Sequence, residues 1–436
     1  LSIKAFPQAD PILAARVLAF VAFAVLLAST YQLARGFVPR RWALLPAVLL
    51  ACWTDITRAA LSGLETLPHA AFLSLGFLAY SRELQGVRRT SLWWFVLAAL
   101  TRISSITNIA FVLGFEACLL FTQRRVAWPN IVRWAGPPLL VFFCYFAWRW
   151  NYYGLPFPTT YYAKNMVAAF DKYRGVHYLL HALEDLGGFV VALPWLVGLL
   201  RHRDIRRLFM GAAVAAEIAT VVHVQGDWMP FNRFWIPIGG LIAVPFVVGL
   251  RELVALGSSR GRAFGNVAGL AAAATLAAVV LHLDSHWVLT RVEATKLKRA
   301  AHERRHTYKN LFANRSYFGA IVRKPGDVLV TDYGGIFGYY TDANIIEMWG
   351  LCNREIALHG DTNGINAIYG KTCIECYQSF DPEFFHTKTP LVRGADAFED
   401  QKAVVRAVFQ GQALDRVLDF ERNYVVGRVL SASRQK

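Results

Sequence analysis

The sequence predicts a polytopic α-helical membrane protein that carries a C-terminal extracytoplasmic α/β domain. Two observations predict this fold class. Of the 436 residues, 55% are hydrophobic and 17% are charged, whereas roughly 25% are charged in an ordinary soluble domain. Long apolar runs also fill the first two thirds of the chain and stop near residue 284. This composition excludes a disordered chain and argues against a purely soluble enzyme.

The transmembrane domain is predicted over residues 1–284. A membrane helix needs roughly 20 mainly apolar residues, and about ten runs reach or approach this length. The run at 91–103 is weak on its own. The candidate spans are 12–34, 42–61, 66–81, 91–103, 106–122, 134–150, 184–200, 207–224, 233–250 and 263–283.

Basic clusters between the apolar runs predict the orientation of the chain. The formal net charge is +16, but its placement in short loops indicates membrane topology and not a nucleic-acid partner. Every cluster follows an odd-numbered run, and the positive-inside rule therefore puts all of them in the cytoplasm. Residue 1 and everything after about residue 284 are expected outside. The clusters begin at Arg35, Arg82, Arg124, Arg201 and Arg251.

The C-terminal part is predicted as a helical connector over 285–310 and a small α/β domain over 311–436. Within 327–349, short apolar runs are bounded by Asp and Gly, which is typical of a strand, a turn with a short helix, and a second strand. The predicted elements are strands at Val328–Thr331 and Asn344–Met348 and a helix at Gly334–Tyr340.

Three cysteines lie in the predicted outer domain. Cys373 and Cys376 form a CIEC motif, which could bind zinc, but no second cysteine pair accompanies it. Disulfides persist in oxidising compartments outside the cytoplasm. We therefore expect Cys352 to pair with Cys373 or Cys376, and we predict no metal site.

Two carboxylates in predicted outer loops are the candidate catalytic residues. An ionisable group at membrane depth is a functional hypothesis by default, because burying an unpaired charge costs several kcal/mol. Asp227 lies between an apolar run and a Trp-Met-Pro turn, and its alternative role is an ion pair with Arg233. Glu65 lies in a tight loop, and its alternative role is a carboxylate at a helix start.

Three cations near the predicted outer surface suit the phosphate of a lipid. These are Arg102, Lys164 and Arg233. Arginine offers a phosphate bidentate contacts and lysine offers a point charge. The alternative is that they snorkel to the membrane interface without binding a ligand.

Aromatic and polar residues in the outer loops are candidate substrate-binding residues. Aromatic rings stack on sugar faces, although an interfacial aromatic belt is an alternative role. Pro156 and Pro158 stiffen the loop that holds most of them. The candidates are Tyr152, Tyr153, Thr159, Tyr162, His223 and Trp228.

Several segments together resemble the bacterial membrane glycosyltransferases of the GT-C superfamily, closest to the mycobacterial arabinofuranosyltransferase group. The segments match in order and spacing over nearly the whole chain, and together they are moderately specific for the family and poorly specific for the sugar. They are SGLET at 62–66, YYGLPFPTTYYAKN at 152–165, GDWMPFNRFWIP at 226–237, and DYGGIFGYY followed by IIEMWGL at 345–351.

The resemblance implies transfer of a sugar from a polyprenyl-phosphate donor to a cell-envelope glycan or glycolipid. The reaction would take place on the outer face of the bacterial plasma membrane, among membrane lipids, with no further cofactor. By family position, Glu65, Asp227 and Arg233 line the membrane cavity and the 152–165 loop edges it. Family members often carry Thr-Arg-Pro-Glu where this chain has Thr101-Arg102-Ile103-Ser104, so a role copied from that glutamate does not transfer.

Two other classes of function compete with the enzyme. A transporter or flippase for a lipid-linked sugar would also have many spans, but internal repeats are expected in it, and none is visible. A non-enzymatic envelope scaffold leaves the one-sided polar residues without a role. We also expect a first span and first outer loop upstream of Leu1, carrying the principal catalytic acid, because GT-C enzymes place that residue after their first span.

Overall fold

The computed structural model describes residues 11–62, 64–87, 89–123, 128–165, 173–224, 226, 232–283, 328–331, 344–360, 373–380, 384–387, 418–419 and 425–428. These residues form two compact units. The first contains the described residues up to Gly154 and from Tyr173 to Leu283. The second contains Leu155–Asn165 together with the described residues from Val328 onward. The segment Leu155–Asn165 was assigned to the transmembrane domain on sequence grounds.

The first unit is built from helices, and its long apolar runs explain why. In chain order the helices are α1 (Pro11–Arg35), α2 (Arg40–Cys52), α3 (Thr54–Ser62), α4 (Thr66–Glu83), α5 (Ser91–Thr101), α6 (Ile106–Gln123), α7 (Trp128–Tyr153), α9 (Arg174–Asp185), α10 (Phe189–Leu200), α11 (Ile205–His223), α12 (Gly239–Ser259) and α13 (Arg262–Leu283). Helix α8 (Thr159–Asn165) belongs to the second unit.

The length and apolar composition of these helices indicate a polytopic helical membrane protein. Five described helices are long and apolar enough to cross a membrane, and the number rises to seven if two bent pairs each count as one span. Large apolar side chains stay exposed along them, such as Phe189 at 92% and Leu270 at 72%, as expected for a surface that faces lipid. Helices lie at all ten predicted positions, but fewer than ten of them are long and apolar enough to count as spans.

Two predicted straight spans are in fact bent, which corrects the sequence prediction. The run 42–61 consists of α2 and α3, joined at Trp53 with a bend of 59°. The run 184–200 begins later than predicted: α9 ends at Asp185, and α10 follows at an angle of 91°. Gly187 and Gly188 make this second bend, because both adopt positive φ angles of 99° and 54°, which glycine adopts without strain.

Helices α10 and α12 form the closest helix pair of the first unit. Each carries a proline and a glycine four residues apart: Pro194 and Gly198 on α10, and Pro245 and Gly249 on α12. A Cβ atom on Gly198 would overlap the Pro245 carbonyl oxygen, and one on Gly249 would overlap the Pro194 carbonyl oxygen. The two backbones therefore touch at reciprocal positions, as small residues allow in membrane helix pairs.

The second unit contains a mixed five-stranded sheet. Its strands are β1 (Val328–Thr331), β2 (Asn344–Glu347), β3 (Phe384–Thr387), β4 (Leu418–Asp419) and β5 (Val425–Arg428), in the spatial order β2-β1-β3-β5-β4. β1 is parallel to β2 and β3, whereas β5 is antiparallel to β3 and β4. The two strands predicted from sequence are confirmed. The predicted helix at 334–340 and the connector at 285–310 lie outside the described residues.

Two short helices and one disulfide complete the described part of this unit. The helices are α14 (Arg354–His359) and α15 (Ile374–Ser379). Cys373 is bonded to Cys376, and Cys352 is an exposed free thiol. The predicted pairing of Cys352 was therefore wrong: the CIEC motif closes on itself, because the first turn of α15 brings its two cysteines together.

Candidate functional site

An aspartate lies next to each of the two helix bends described above. Trp53 interrupts the first pair in an extended conformation (φ −75°, ψ 106°), and Asp55 lies in the first turn of α3. Asp185 is the last residue of α9, immediately before the second bend. Broken helices place polar groups at membrane depth, because the interrupted backbone and the side chains beside it need polar partners.

Asn232 joins the two aspartates. Its Nδ2 donates one hydrogen bond to Asp55 Oδ2 at 3.2 Å and another to Asp185 Oδ2 at 2.7 Å. Asn232 has a φ angle of +45°, in the left-handed region that asparagine tolerates better than most residues. One amide group therefore ties both helix bends to the segment that leads into α12.

A third helix break carries Arg102. The residue has an extended backbone (φ −140°, ψ 116°) between α5 and a short 3-10 turn, Ile103–Ser105. Its Nε lies 3.7 Å from Glu65 Oε1, and its guanidinium carbon lies 5.0 Å from the centre of the Phe234 ring. The Arg102 side chain is 15% exposed and that of Glu65 is 45% exposed. The break thus presents a largely covered cation with a solvent-accessible carboxylate beside it.

Buried polar residues surround this arginine. His69 Nε2 and Ser105 Oγ are 2.5 Å apart, and Asn108 Nδ2 donates to Glu217 Oε2 at 3.3 Å. All four side chains are buried. The charge of Arg102 acts electrostatically on both His69 and Glu217. The arginine is therefore part of a polar network that links α4, α6 and α11.

The segment that contains Asn232 is fixed by aromatic stacking. The Tyr178 ring on α9 stacks on Trp235 with their centres 6.4 Å apart, and it meets Phe234 edge to face. Gly226 approaches Tyr178 so closely that a Cβ atom would lie 2.5 Å from the ring. These contacts hold Phe234 against Arg102 and Asn232 against the aspartates.

An apolar cavity lies beside the same helix bends. It is lined by residues from the end of α2, the start of α10, the start of α12 and the end of α13, and the two bends contribute Trp53 and Leu186. Its other lining residues are Leu49, Leu50, Val191, Gly239, Ile242, Ala243, Phe246, Val279 and Leu283. This part of the unit therefore joins a hydrophobic recess to a polar cluster.

At the opposite end of the helical unit, the described acidic residues are held by ion pairs or hydrogen bonds. Glu252 lies within 4 Å of nitrogen atoms of Arg201, His202, Arg207 and Arg251. Similarly, Glu116 accepts from Tyr80 Oη at 3.1 Å and pairs with Arg89. Glu83 and Asp204 accept from nearby backbone and side-chain donors. These carboxylates join neighbouring helices and loops, and the end of the unit that contains Arg102 is the better candidate site.

At that opposite end, the loop residue Asp204 has a lowered pKa. Burial raises the pKa of Asp204, but the Arg206 side chain and backbone N–H outweigh this and hold it below its usual value. The side chain caps α11 by accepting from the Arg206 N–H at 2.9 Å. This arrangement fits a structural role.

The structure brings some of the predicted site residues together. Arg102 and Glu65 form one cluster, and Arg233 follows Asn232 directly. His223 ends α11 with an exposed side chain. Tyr152 and Tyr153 lie in the last turn of α7 and not in a loop, which corrects their predicted setting. Both are exposed, and Trp148 stacks on Tyr152.

Other predicted residues lie elsewhere. Thr159, Tyr162 and Lys164 belong to α8 in the second unit. Thr159 Oγ1 donates to the Leu351 carbonyl at 2.5 Å, which docks α8 next to α14. Asp227 and Trp228 lie outside the described residues, so the structure does not test them.

The sequence analysis missed the residues that organise this site. Asp55, Glu217 and Asn108 each lie inside an apolar run, and the rule that intramembrane polar residues are functional candidates identifies them. Asp185 and Asn232 are less visible, because each lies at the margin of a run. No group of three or more His, Cys, Asp or Glu side chains among the described residues could hold a metal ion.

Comparison of the chain with protein-family models, with curated proteins and with solved structures finds no match.

Proposed function

We propose that this protein is a membrane glycosyltransferase of the GT-C type. It moves a sugar, with arabinofuranose suggested by the resemblance, from a polyprenyl-phosphate donor to a glycan or glycolipid of the bacterial cell envelope. In this proposal the helical unit spans the plasma membrane about ten times, and the α/β domain and the Arg102 cluster face outward.

The observation that carries the proposal is the setting of Arg102. A helix break holds this cation beside an aromatic ring and an accessible carboxylate, within a unit whose outer surface is apolar. A guanidinium suits a phosphate because it offers two parallel hydrogen bonds. The small apolar recess beside the helix bends offers a hydrophobic surface that part of a prenyl chain would contact.

The chemistry needs two kinds of side chain. The oxygen of the acceptor hydroxyl attacks the anomeric carbon of the donor sugar, and the bond from that carbon to the phosphate oxygen breaks. The electron pair leaves with the phosphate, where Arg102 stabilises the developing charge. A carboxylate takes the hydroxyl proton, and Glu65 is the accessible carboxylate of the cluster.

The test measures donor binding and sugar transfer separately. Arg102→Ala is expected to weaken polyprenyl-phosphate binding about tenfold or more, because a charge-assisted hydrogen bond contributes roughly 1.5–3 kcal/mol. Arg16→Ala is the matched control, since Arg16 is an exposed cation that contacts only the Leu61 carbonyl among the described residues. Transfer from labelled polyprenyl-phosphate sugars is measured in membranes that contain the parent chain or one of the two variants. Equal donor binding by both variants would contradict the proposal.

A transporter for a lipid-linked sugar is the second candidate. The two bent helix pairs with aspartates at the bends favour it, because transporters form substrate and ion sites at discontinuous helices. Vesicles loaded with labelled lipid-linked sugar separate the two functions. A transporter moves the intact lipid across the bilayer, whereas a transferase leaves free polyprenyl phosphate and a glycosylated acceptor.

A further inference from the structure

Among the described residues, Glu65 and Glu217 are carboxylates that act on Arg102, and they differ in how firmly they are held. Glu217 is buried and accepts a hydrogen bond from Asn108. Glu65 is 45% exposed, and its carboxylate contacts only Arg102 among the described residues. The first carboxylate is fixed by the packing of the helices, whereas the second can leave.

The contact between Glu65 and Arg102 is also loose. The distance from Arg102 Nε to Glu65 Oε1 is 3.7 Å, which is longer than a hydrogen bond. Ion pairs that reach solvent contribute little, because water screens them and two long side chains lose freedom. A phosphate group can instead place two oxygens on the planar guanidinium at hydrogen-bonding distance. A phosphate therefore competes well for the position that Glu65 occupies.

We propose that Glu65 is a displaceable counter-ion of Arg102, and that the phosphate of a lipid binds by replacing it. In the free protein the carboxylate neutralises the mostly covered cation. When the phosphate arrives, its negative charge repels Glu65, and the carboxylate leaves the guanidinium but stays within the site, where it remains available as the proton acceptor of the proposed reaction. The inference rests on the proposed function only in taking the anion to be the phosphate of a lipid.

The displacement has a consequence for both partners. Glu65 competes with the phosphate for one cation, so its removal strengthens phosphate binding, although Glu65 lies in the site. Conversely, a bound phosphate frees the carboxylate, because the coupling between two ligands of one group is reciprocal. A residue that contacted the phosphate favourably would show the opposite effect when it is removed.

The experiment measures binding of polyprenyl phosphate to the full chain in lipid nanodiscs. Glu65→Gln is expected to tighten binding about twofold to fivefold, the range of a weak exposed ion pair. Glu184→Gln is the matched control, because Glu184 is an exposed carboxylate that pairs only with His181 among the described residues. Polyprenol, which lacks the phosphate, should bind both variants and the parent chain equally.

A double substitution tests whether the effect passes through Arg102. Once Arg102→Gln has removed the cation, adding Glu65→Gln should change polyprenyl-phosphate binding by less than twofold. Inorganic phosphate as a competitor distinguishes the source of the anion. If it displaces the lipid only at far higher concentration, the lipid phosphate is the ligand. If it binds equally well, the site takes free phosphate and the lipid assignment is overturned.

Two results would overturn the inference. The first is weaker or unchanged polyprenyl-phosphate binding by Glu65→Gln, with a Glu65→Ala variant giving the same result. The second is tighter binding that persists without Arg102. Failure of glycosyl transfer is a separate outcome, because the binding measurements need no reaction. If the chain binds polyprenyl phosphate as predicted but transfers no sugar, the displacement of Glu65 is supported and the proposed glycosyltransferase function is contradicted.

Discussion

Asn232 shows how one side chain can organise a site within the helical unit. Its amide group reaches two aspartates that lie 177 and 47 residues away in the chain. The amide is therefore a neutral hydrogen-bonding link between the two carboxylates. Its backbone conformation, with φ at +45°, sets the direction from which the amide approaches.

Replacing Asn232 separates these two contributions. Asn232→Gly keeps the left-handed backbone and removes the amide, and we expect the free energy of unfolding to fall by about 1 kcal/mol, as when hydrogen bonds to partly buried carboxylates are lost. Asn232→Ala should cost about 1 kcal/mol more, because a Cβ atom disfavours the left-handed region. Thermal or denaturant unfolding in detergent measures both. A glycine variant as stable as the parent chain would show that the bridge contributes nothing.

At the scale of the element, the sequence predicted where helices occur but not where they break. The hydropathy pattern identifies apolar runs reliably because a membrane-spanning helix needs a minimum length of apolar residues. The bend near Gly187 and Gly188 has a local signal in its two glycines. The bend at Trp53 has no glycine to mark it, and Asp55 just after it is hydrogen-bonded to a residue far along the chain.

For the candidate site, the sequence likewise predicted individual residues but not their contacts. Arg102 and Glu65 were identified because charged residues are rare in such surroundings. Their pairing was not, because it depends on how α4 packs against the break after α5. The buried carboxylate of Glu217 obeys the same rule and could have been identified. The bridging role of Asn232 could not, because it needs the three-dimensional positions of two helix bends.

The contact between α10 and α12 gives a prediction about packing. Gly198→Ala or Gly249→Ala would press a methyl group into the backbone of the facing helix. We expect each to lower the free energy of unfolding by about 3 kcal/mol, the upper part of the range for overpacked cores.

Gly114→Ala on α6 is the control for these variants, because nothing outside its own helix backbone lies within 4 Å of the added Cβ. It should be neutral or stabilise the helix by up to about 1 kcal/mol. Unfolding in detergent compares the three variants. Equal stability of all three would mean that α10 and α12 separate easily.

At the scale of the whole molecule, the charges of the first unit are divided between its ends. Contacts join Arg206 to the Gly36 carbonyl and Arg201 to Glu252, so basic loops from distant parts of the chain meet at one end. Asp55, Asp185 and Arg102 lie at the other. This division fits the positive-inside rule, which predicts a cytoplasmic basic end.

Thiol labelling tests the predicted orientation of both units. Cys352 is an exposed free thiol, so an impermeant maleimide should label it in intact spheroplasts, with Cys352→Ser as the control. In a Cys352→Ser background, Glu184→Cys should also react from outside. Arg203→Cys should react only after the membrane is opened. Labelling of Cys352 only in opened cells would contradict an extracytoplasmic second unit.

The reciprocal glycines of α10 and α12 also constrain how the protein is made. Helix α10 leaves the ribosome well before α12, and membrane helices insert individually before they associate. Until Gly249 has left the ribosome, the face of α10 that contains Gly198 lacks the helix on which it packs in the folded protein. The bend before α10 likewise lacks its hydrogen bond from Asn232. Synthesis must therefore reach α12 before the helix that carries Asp185 is locked in place. A nascent chain stalled before α12 should remain open to protease around residues 186–188, and one released after α12 should not.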